Sequence, residues 1–219
     1  NNTIGFSINV SDGVGLSMVK FAWNGTYGAE IGNLSGDTKN GVAPYINTSG
    51  LVLLMHFNNQ SGLENDSLAY DFSNDINSEK TVHNNGSIKN GAHYNFTNKI
   101  LGNGAMDFNG TDDYVDAGNA SSLNDLRNFT ISAWINIDSF GGGLFGRIVD
   151  KRNNTGGGWE FLVCNVSSFS CNANLRFRQS FSTVIGAWHS PNNSIKVGIW
   201  QHTALTYDSN SINNNPLLY

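Results

Sequence analysis

Few residues of this chain are suited to holding a ligand, and they are scattered. Trp188, with His189 and Asn192 close behind it, lies in a Gly-, Pro- and Asn-rich stretch, GAWHSPNN. An aromatic ring reaching solvent from such a loop can lie against the apolar face of a sugar, with amide and imidazole groups beside it. The same indole would fit a core equally well. Asp112, Asp113 and Asp116 crowd the run NGTDDYVD, and Asp71 stands apart in YDFSN. Carboxylates in such turns commonly accept backbone N–H bonds and cap the chain reversal.

Other chemistries are excluded by what is missing. No Gly-x-Ser-x-Gly elbow accompanies a Ser/His/Asp order. His56, His83, His93, His189 and His202 show no pair at metal-ligand spacing. The glycine triplets at 141–143 and 156–158 fall between strand patterns, so they are not phosphate cradles.

Cys164 and Cys171 are the only cysteines, and their spacing matches no zinc or haem pattern. Alternating apolar residues flank them in WEFLVCNVSSFSCNANLRFR, as in two strands joined by a turn. A disulfide across the mouth of that hairpin suits an oxidising compartment. Two free buried thiols are the alternative.

The elements that must carry these residues are strands. Only 13% of the 219 residues are charged, against about 25% in an ordinary domain. Neutral polar residues replace the charge, with 34 Asn, 23 Ser and 12 Thr, beside 25 Gly and only 3 Pro. A net charge of −5 without a Lys/Arg cluster gives no footprint for nucleic acid. The longest apolar run, Leu51–Met55, is far too short to span a bilayer. The chain opens on Asn1 with no signal-peptide pattern, so it reads as a piece of a longer polypeptide.

Asn-x-Ser/Thr occurs 15 times, where about five would arise by chance. Glycosylated loops would solubilise a chain so poor in charge. The bland alternative is that Asn, Ser and Thr crowd the same turns.

Leu51–Phe57, apolar except for His56, is expected as a strand buried on both faces. Phe129, Ile131, Ala133, Ile135 and Ile137 share one face of a strand, with Thr130, Ser132, Trp134 and Asn136 on the other. Trp159, Phe161 and Val163 alternate, as do Leu175 and Phe177. Val197 and Ile199 lead into Trp200–Tyr207, and Trp159 and Trp200 are expected in the core. The one helical signal is a turn around Ser121–Leu126. Many strands with turns between them predict an all-β, two-sheet jelly-roll sandwich.

From residue 51 onward the order of motifs resembles the LamG-like jelly roll of the concanavalin A-like lectin/glucanase superfamily. The segments that carry it are GNGAMDFNGTDDYVDAGN at 102–119, FTISAWINI at 129–137, GGWEFLV at 157–163 with NLRFR at 174–178, and IKVGIWQHTALTYD at 195–208. Residues 1–23 resemble the end of an Ig-like module and 24–50 read as a linker, leaving 51–219 as the jelly roll. In the family a further hairpin and closing strands follow Thr-Tyr-Asp. Here the chain stops at Tyr219, so the roll is expected to be incomplete at its C-terminus.

The resemblance implies a non-catalytic binding or adhesion module of an extracellular, multidomain surface protein. Its partners would be a cell-surface or matrix glycan and the neighbouring domains of the same chain. A spacer without a ligand is the alternative. A glycanase of this superfamily needs two carboxylates about 5–5.5 Å apart, and none of Glu30, Glu64, Glu79 and Glu160 has a partner at suitable spacing along its strand. Calcium is the cofactor the resemblance implies, with Asp71, Asp112, Asp113 and Asp116 as ligands.

Overall fold

A computed structural model describes residues 50–74, 83–124, 126–153, 157–181, 184–210 and 214–219. The expected Ig-like tail and linker therefore lie outside the described residues. The chain divides into two compact units, Asn1–Leu54 with Phe72–His83, and Met55–Asp71 with Asn84–Tyr219. In the first, the amide of Phe72 donates to the carbonyl of Leu54 at 2.8 Å.

Among the described residues, twelve strands run in chain order: β1 Leu68–Ala69, β2 Gly86–Lys89, β3 His93–Asn95, β4 Ala105–Asp107, β5 Tyr114–Asp116, β6 Asn128–Ile135, β7 Phe145–Arg152, β8 Gly158–Cys164, β9 Asn174–Ser180, β10 Ile185–His189, β11 Gln201–Asp208 and β12 Leu217–Leu218. The helical content of the described residues is four 3₁₀ turns of three residues each. One, Ser121–Leu123, occupies the place where a helical turn was expected.

Two sheets make the sandwich, both antiparallel. One has the order β10-β9-β8-β7 and the other β12-β11-β6. The smaller sheets β1-β2-β5 and β3-β4 complete the unit. Phe161, Val163, Leu175 and Phe177 from the first sheet meet Leu205 and Tyr207 from the second, with Phe129, Ile131 and Ile135 packed against them. The period-2 pattern read for β6 is its observed burial pattern. Trp159 joins this core by stacking on Phe129, with ring centroids 5.0 Å apart.

Cys164 and Cys171 are bonded, with their Cα atoms 5.5 Å apart. Cys164 ends β8, and Cys171 lies in the connection to β9 rather than on the strand itself. The bond thus ties the 165–173 connection, through Val166 and Cys171, to Leu162 and Phe145.

Two expected strands fail. Leu51–Phe57 is not assigned as a strand, and within it Met55 bridges to Asp71. Phe57 and Asn59 take left-handed φ values of 54° and 50°, which turn the chain away from extended pairing. Val197 and Ile199 are about half exposed. Gly198 between them has φ +76°, so the strand begins at Gln201 instead.

Candidate functional site

The register of the four-stranded sheet brings charged residues together on its outer face, opposite the core. One row across it reads Asp150, Glu160, Arg178 and Ala187 on β7, β8, β9 and β10. The next reads Arg147, Leu162, Arg176 and His189. Arg152 stands opposite Gly158 in the row beyond Asp150. A bulge between Arg147 and Val149 shifts the parity of β7, which puts Arg147 and Asp150 on the same face despite their odd separation.

Glu160 is nearly wholly buried there, at 4% exposure. Arg152 Nε lies 3.2 Å and Arg147 Nε 3.5 Å from its Oε2, and Arg178 Nε 4.0 Å from its Oε1. Asp150 is gripped more directly, since Arg152 donates through Nη2 at 2.7 Å and through Nε at 3.0 Å. Burial works to raise the Asp150 pKa, but the hydrogen bonds from Arg152 and the charges of Arg152 and Arg147 outweigh it and hold the carboxyl below its ordinary range. The same bond raises Arg152 above the usual arginine value.

Arg176 is different. It is 8% exposed and has no acidic partner at ion-pair distance among the described residues. Its guanidinium carbon lies 5.8 Å from the Phe145 ring centroid and 5.5 Å from that of Phe169. Those two centroids are themselves 5.5 Å apart, so both rings flank the guanidinium from one side. Desolvation lowers its pKa, Glu160 counters this, and the like charge of Arg178 adds to the lowering. Arg176 Nε, Arg178 Nη1 and His189 Nε2 are all buried without a hydrogen-bond partner. His189 is held below the ordinary histidine pKa by burial and then by the charge of Arg176.

The outer face of the other sheet carries a different surface. Trp134 on β6 and His202 on β11 are cross-strand neighbours there, with rings 5.4 Å apart and tilted by 58°. The indole of Trp134 is 45% exposed. Two residues further along, Asn136 Nδ2 donates to Asn98 Oδ1 at 3.2 Å, and two residues before His202, Trp200 Nε1 donates to the same oxygen at 3.0 Å. Amide groups therefore stand beside an exposed aromatic ring. Trp200 belongs to this cluster and not, as its sequence context suggested, to the core.

Trp188 lies in β10 rather than in a loop. Alternation in the pairing with β9 turns it inward, where it stacks on Phe177 at 5.9 Å and meets Tyr207 at 6.0 Å. Its Nε1 donates to Asn215 Oδ1 at 3.0 Å. His189, the next residue, faces the opposite way, onto the arginine rows. Asn192 sits in the turn after Pro191, where its Oδ1 accepts from Asn174 Nδ2 at 3.3 Å. The sugar site expected at Trp188, His189 and Asn192 is thus divided among three surroundings.

Asp71 Oδ2 accepts the amide of Asn84 at 2.8 Å. Asp112 and Asp113 close the turn from Asn109, whose side-chain amide donates to Asp112 Oδ1 and whose backbone amide donates to Asp113 Oδ2. Asp116 Oδ1 accepts the amide of Gly118. Among the described residues no three His, Cys, Asp or Glu side chains gather so as to hold a metal ion. Calcium takes six to eight oxygens. Of the turn carboxylates only Asp113 Oδ1 is buried without a partner, so these residues as placed do not fit that ion.

Several sequons are turn devices. Asn65 Oδ1 accepts from both the amide and the hydroxyl of Ser67, and Asn95 Oδ1 does the same for Thr97. Asn109 Oδ1 accepts the amide of Thr111. Asn two residues before Ser or Thr is the composition of an Asx-turn, which accounts for part of the excess.

No curated protein and no solved structure matches the chain. No helix among the described residues is long and apolar enough to cross a membrane. Residues 109–214 match the Laminin_G_3 family, and the match runs from the Asn109 turn through strands β6 to β11, leaving β12 of the sandwich outside it. With its all-β antiparallel architecture, this segment resembles the concanavalin A-like lectin/glucanases superfamily that the family model describes.

Proposed function

We propose that this chain is a non-catalytic, extracellular binding module of a multidomain surface protein, and that it takes a carbohydrate on the ledge formed by Trp134 and His202. The observation that carries this reading is the exposed Trp134 indole on a rigid strand, beside the Asn98, Asn136 and Trp200 polar groups. Such a ring offers a flat apolar surface for the C–H face of a pyranose, and the amides offer partners for its hydroxyls. The disulfide and the many sequons support an extracellular setting.

A catalytic reading has less support. Among the described residues the pair of acidic neighbours on a sheet face is Asp150 and Glu160. A glycosidase needs one carboxyl with a raised pKa as its acid, whereas Asp150 is held ionised by Arg152 and Arg147.

The test is titration of the protein with a panel of neutral oligosaccharides, followed by Trp134→Ala. Binding should weaken by about 1–3 kcal/mol, as for an interface anchor, with the fold retained. Undiminished binding in Trp134→Ala would discard the ledge. A panel without a single binder would favour a spacer.

A further inference from the structure

We infer that the outer face of the β7–β10 sheet is a receptor for a carboxylate group, formed by Arg176, Arg178 and His189, and that its ligand is an acidic, uronate-bearing saccharide. The ligand class rests on the reading of the chain as a saccharide-binding module. The site itself rests on separate observations, on the sheet opposite the Trp134 ledge.

The first is charge. Four arginines, 147, 152, 176 and 178, share this face with two acids, Asp150 and Glu160, so it carries an excess of two positive charges in a chain whose net charge is −5. Asp150 is bound by Arg152 and Arg147, and Glu160 lies at ion-pair distance from Arg147, Arg152 and Arg178 with its Oε2 buried and making no hydrogen bond. Arg176 is left over. A buried guanidinium without a counter-ion is costly unless something else compensates it. The two phenyl rings do so only in part.

The second is the set of unpartnered atoms. Arg176 Nε, Arg178 Nη1 and His189 Nε2 sit on three positions that are adjacent across or along β9 and β10. Leaving buried donors unpaired carries a penalty that one ligand oxyanion would relieve.

The third is geometry. Phe145 and Phe169 hold the Arg176 guanidinium from one side. The other side is free of these rings. The face already shows how it recognises carboxylates, because Arg152 binds Asp150 through its Nε and Nη2 edge. Arg176 presents the equivalent Nε edge with no acceptor on it. A forked N–H edge meeting a planar carboxylate is the strongest pairing an arginine makes. Arg147, with its side chain 44% exposed, stands in the same cross-strand row as Arg176. Its surface ion pairs are weak enough to yield to a ligand.

The experiment is calorimetric titration of the 219-residue chain with trigalacturonate, its methyl ester, dextran sulfate, poly-glutamate and neutral oligosaccharides. Trigalacturonate should bind and its ester should not. Arg176→Gln should weaken trigalacturonate at least about 10-fold, the size of one lost charged hydrogen bond. Arg176→Lys should fail to restore it, since the charge remains but the fork is lost. Because Arg176 is buried, Arg178→Gln and His189→Gln serve as second variants, each expected to weaken trigalacturonate several-fold with the melting temperature monitored. The inference is overturned if acid and ester bind alike, if dextran sulfate or poly-glutamate binds in preference to trigalacturonate, or if Trp134→Ala abolishes uronate binding and the arginine variants do not. Neutral saccharides bound without trigalacturonate would overturn this inference and leave the module's function standing. No saccharide of either kind bound would overturn both.

Discussion

Replacing Trp188 by Ala should unfold this protein more readily while sparing any ligand, and the size of the effect follows from the packing. A fully buried Trp or Phe cut to Ala costs about 3–5 kcal/mol. Trp188 is half-buried, stacked on Phe177 and tilted against Tyr207, so about 2 kcal/mol of that applies. Its Nε1 bond to Asn215 contributes about another 1 kcal/mol. A loss near 3 kcal/mol lowers the melting temperature of a chain this size by about 6–12 °C. Trp134→Ala removes a ring whose one aromatic neighbour among the described residues is His202 and which is 45% exposed. Its cost should stay below about 1 kcal/mol. Thermal melts followed by near-UV circular dichroism separate the two. Equal shifts, or a Trp188→Ala melt within about 2 °C of the parent, would refute the assignment of Trp188 to the core and of Trp134 to the surface.

Two further outcomes follow from the same region. Gly186→Ala should cost about 1–3 kcal/mol, because its methyl would run into the Trp188 indole. In the Gly186→Ala/Trp188→Ala double variant most of that cost should vanish, a non-additivity read from denaturant midpoints. Stability should also fall with acidity below pH about 6.5, because His189 is held below its ordinary pKa by burial and by Arg176. The unfolded chain then binds the proton more readily than the folded one, so the stabilisation is present above the unfolded pKa and lost as pH falls through the folded one. His189→Gln should flatten the melting temperature between pH 7 and 5.5, and an unchanged slope would assign the acid sensitivity elsewhere.

Much of the sandwich was legible because its strands alternate strictly. β6, β8 and β9 each show one apolar face in sequence, and that face is the core. The disulfide was legible because both cysteines lie close together between two alternating apolar runs. Trp188 was misplaced because its neighbours Gly186, Pro191 and Asn192 carry loop composition, whereas pairing with β9 extends the strand through His189. Leu51–Phe57 was misplaced because hydrophobic composition says nothing of the left-handed backbone at Phe57. The arginine face was invisible for another reason. Arg147, Glu160 and Arg176 belong to three strands, and only the cross-strand register and the β7 bulge make them neighbours. A signal was present in the alternation of Leu175 and Phe177 with Arg176 and Arg178, which places two arginines on the face opposite the core.

The burial of Glu160 decides how the charged face is organised. A carboxylate 4% exposed would be strongly disfavoured alone. Three arginines around it are more than one charge requires, and Asp150 takes up much of Arg152 and Arg147. With those pairs satisfied locally, the remaining positive charge concentrates on the β9–β10 side, at Arg176 beside His189. That side lies across the hydrophobic core from Trp134 and His202, which face outward from β6 and β11. Packed sheets stand about 10 Å apart, so a saccharide on one outer face cannot touch the other without passing around a sheet edge. The aromatic ledge and the arginine face should therefore respond independently. Trp134→Ala should leave the arginine face unchanged, and Arg176→Gln should leave the ledge unchanged, because no side chain is shared between them.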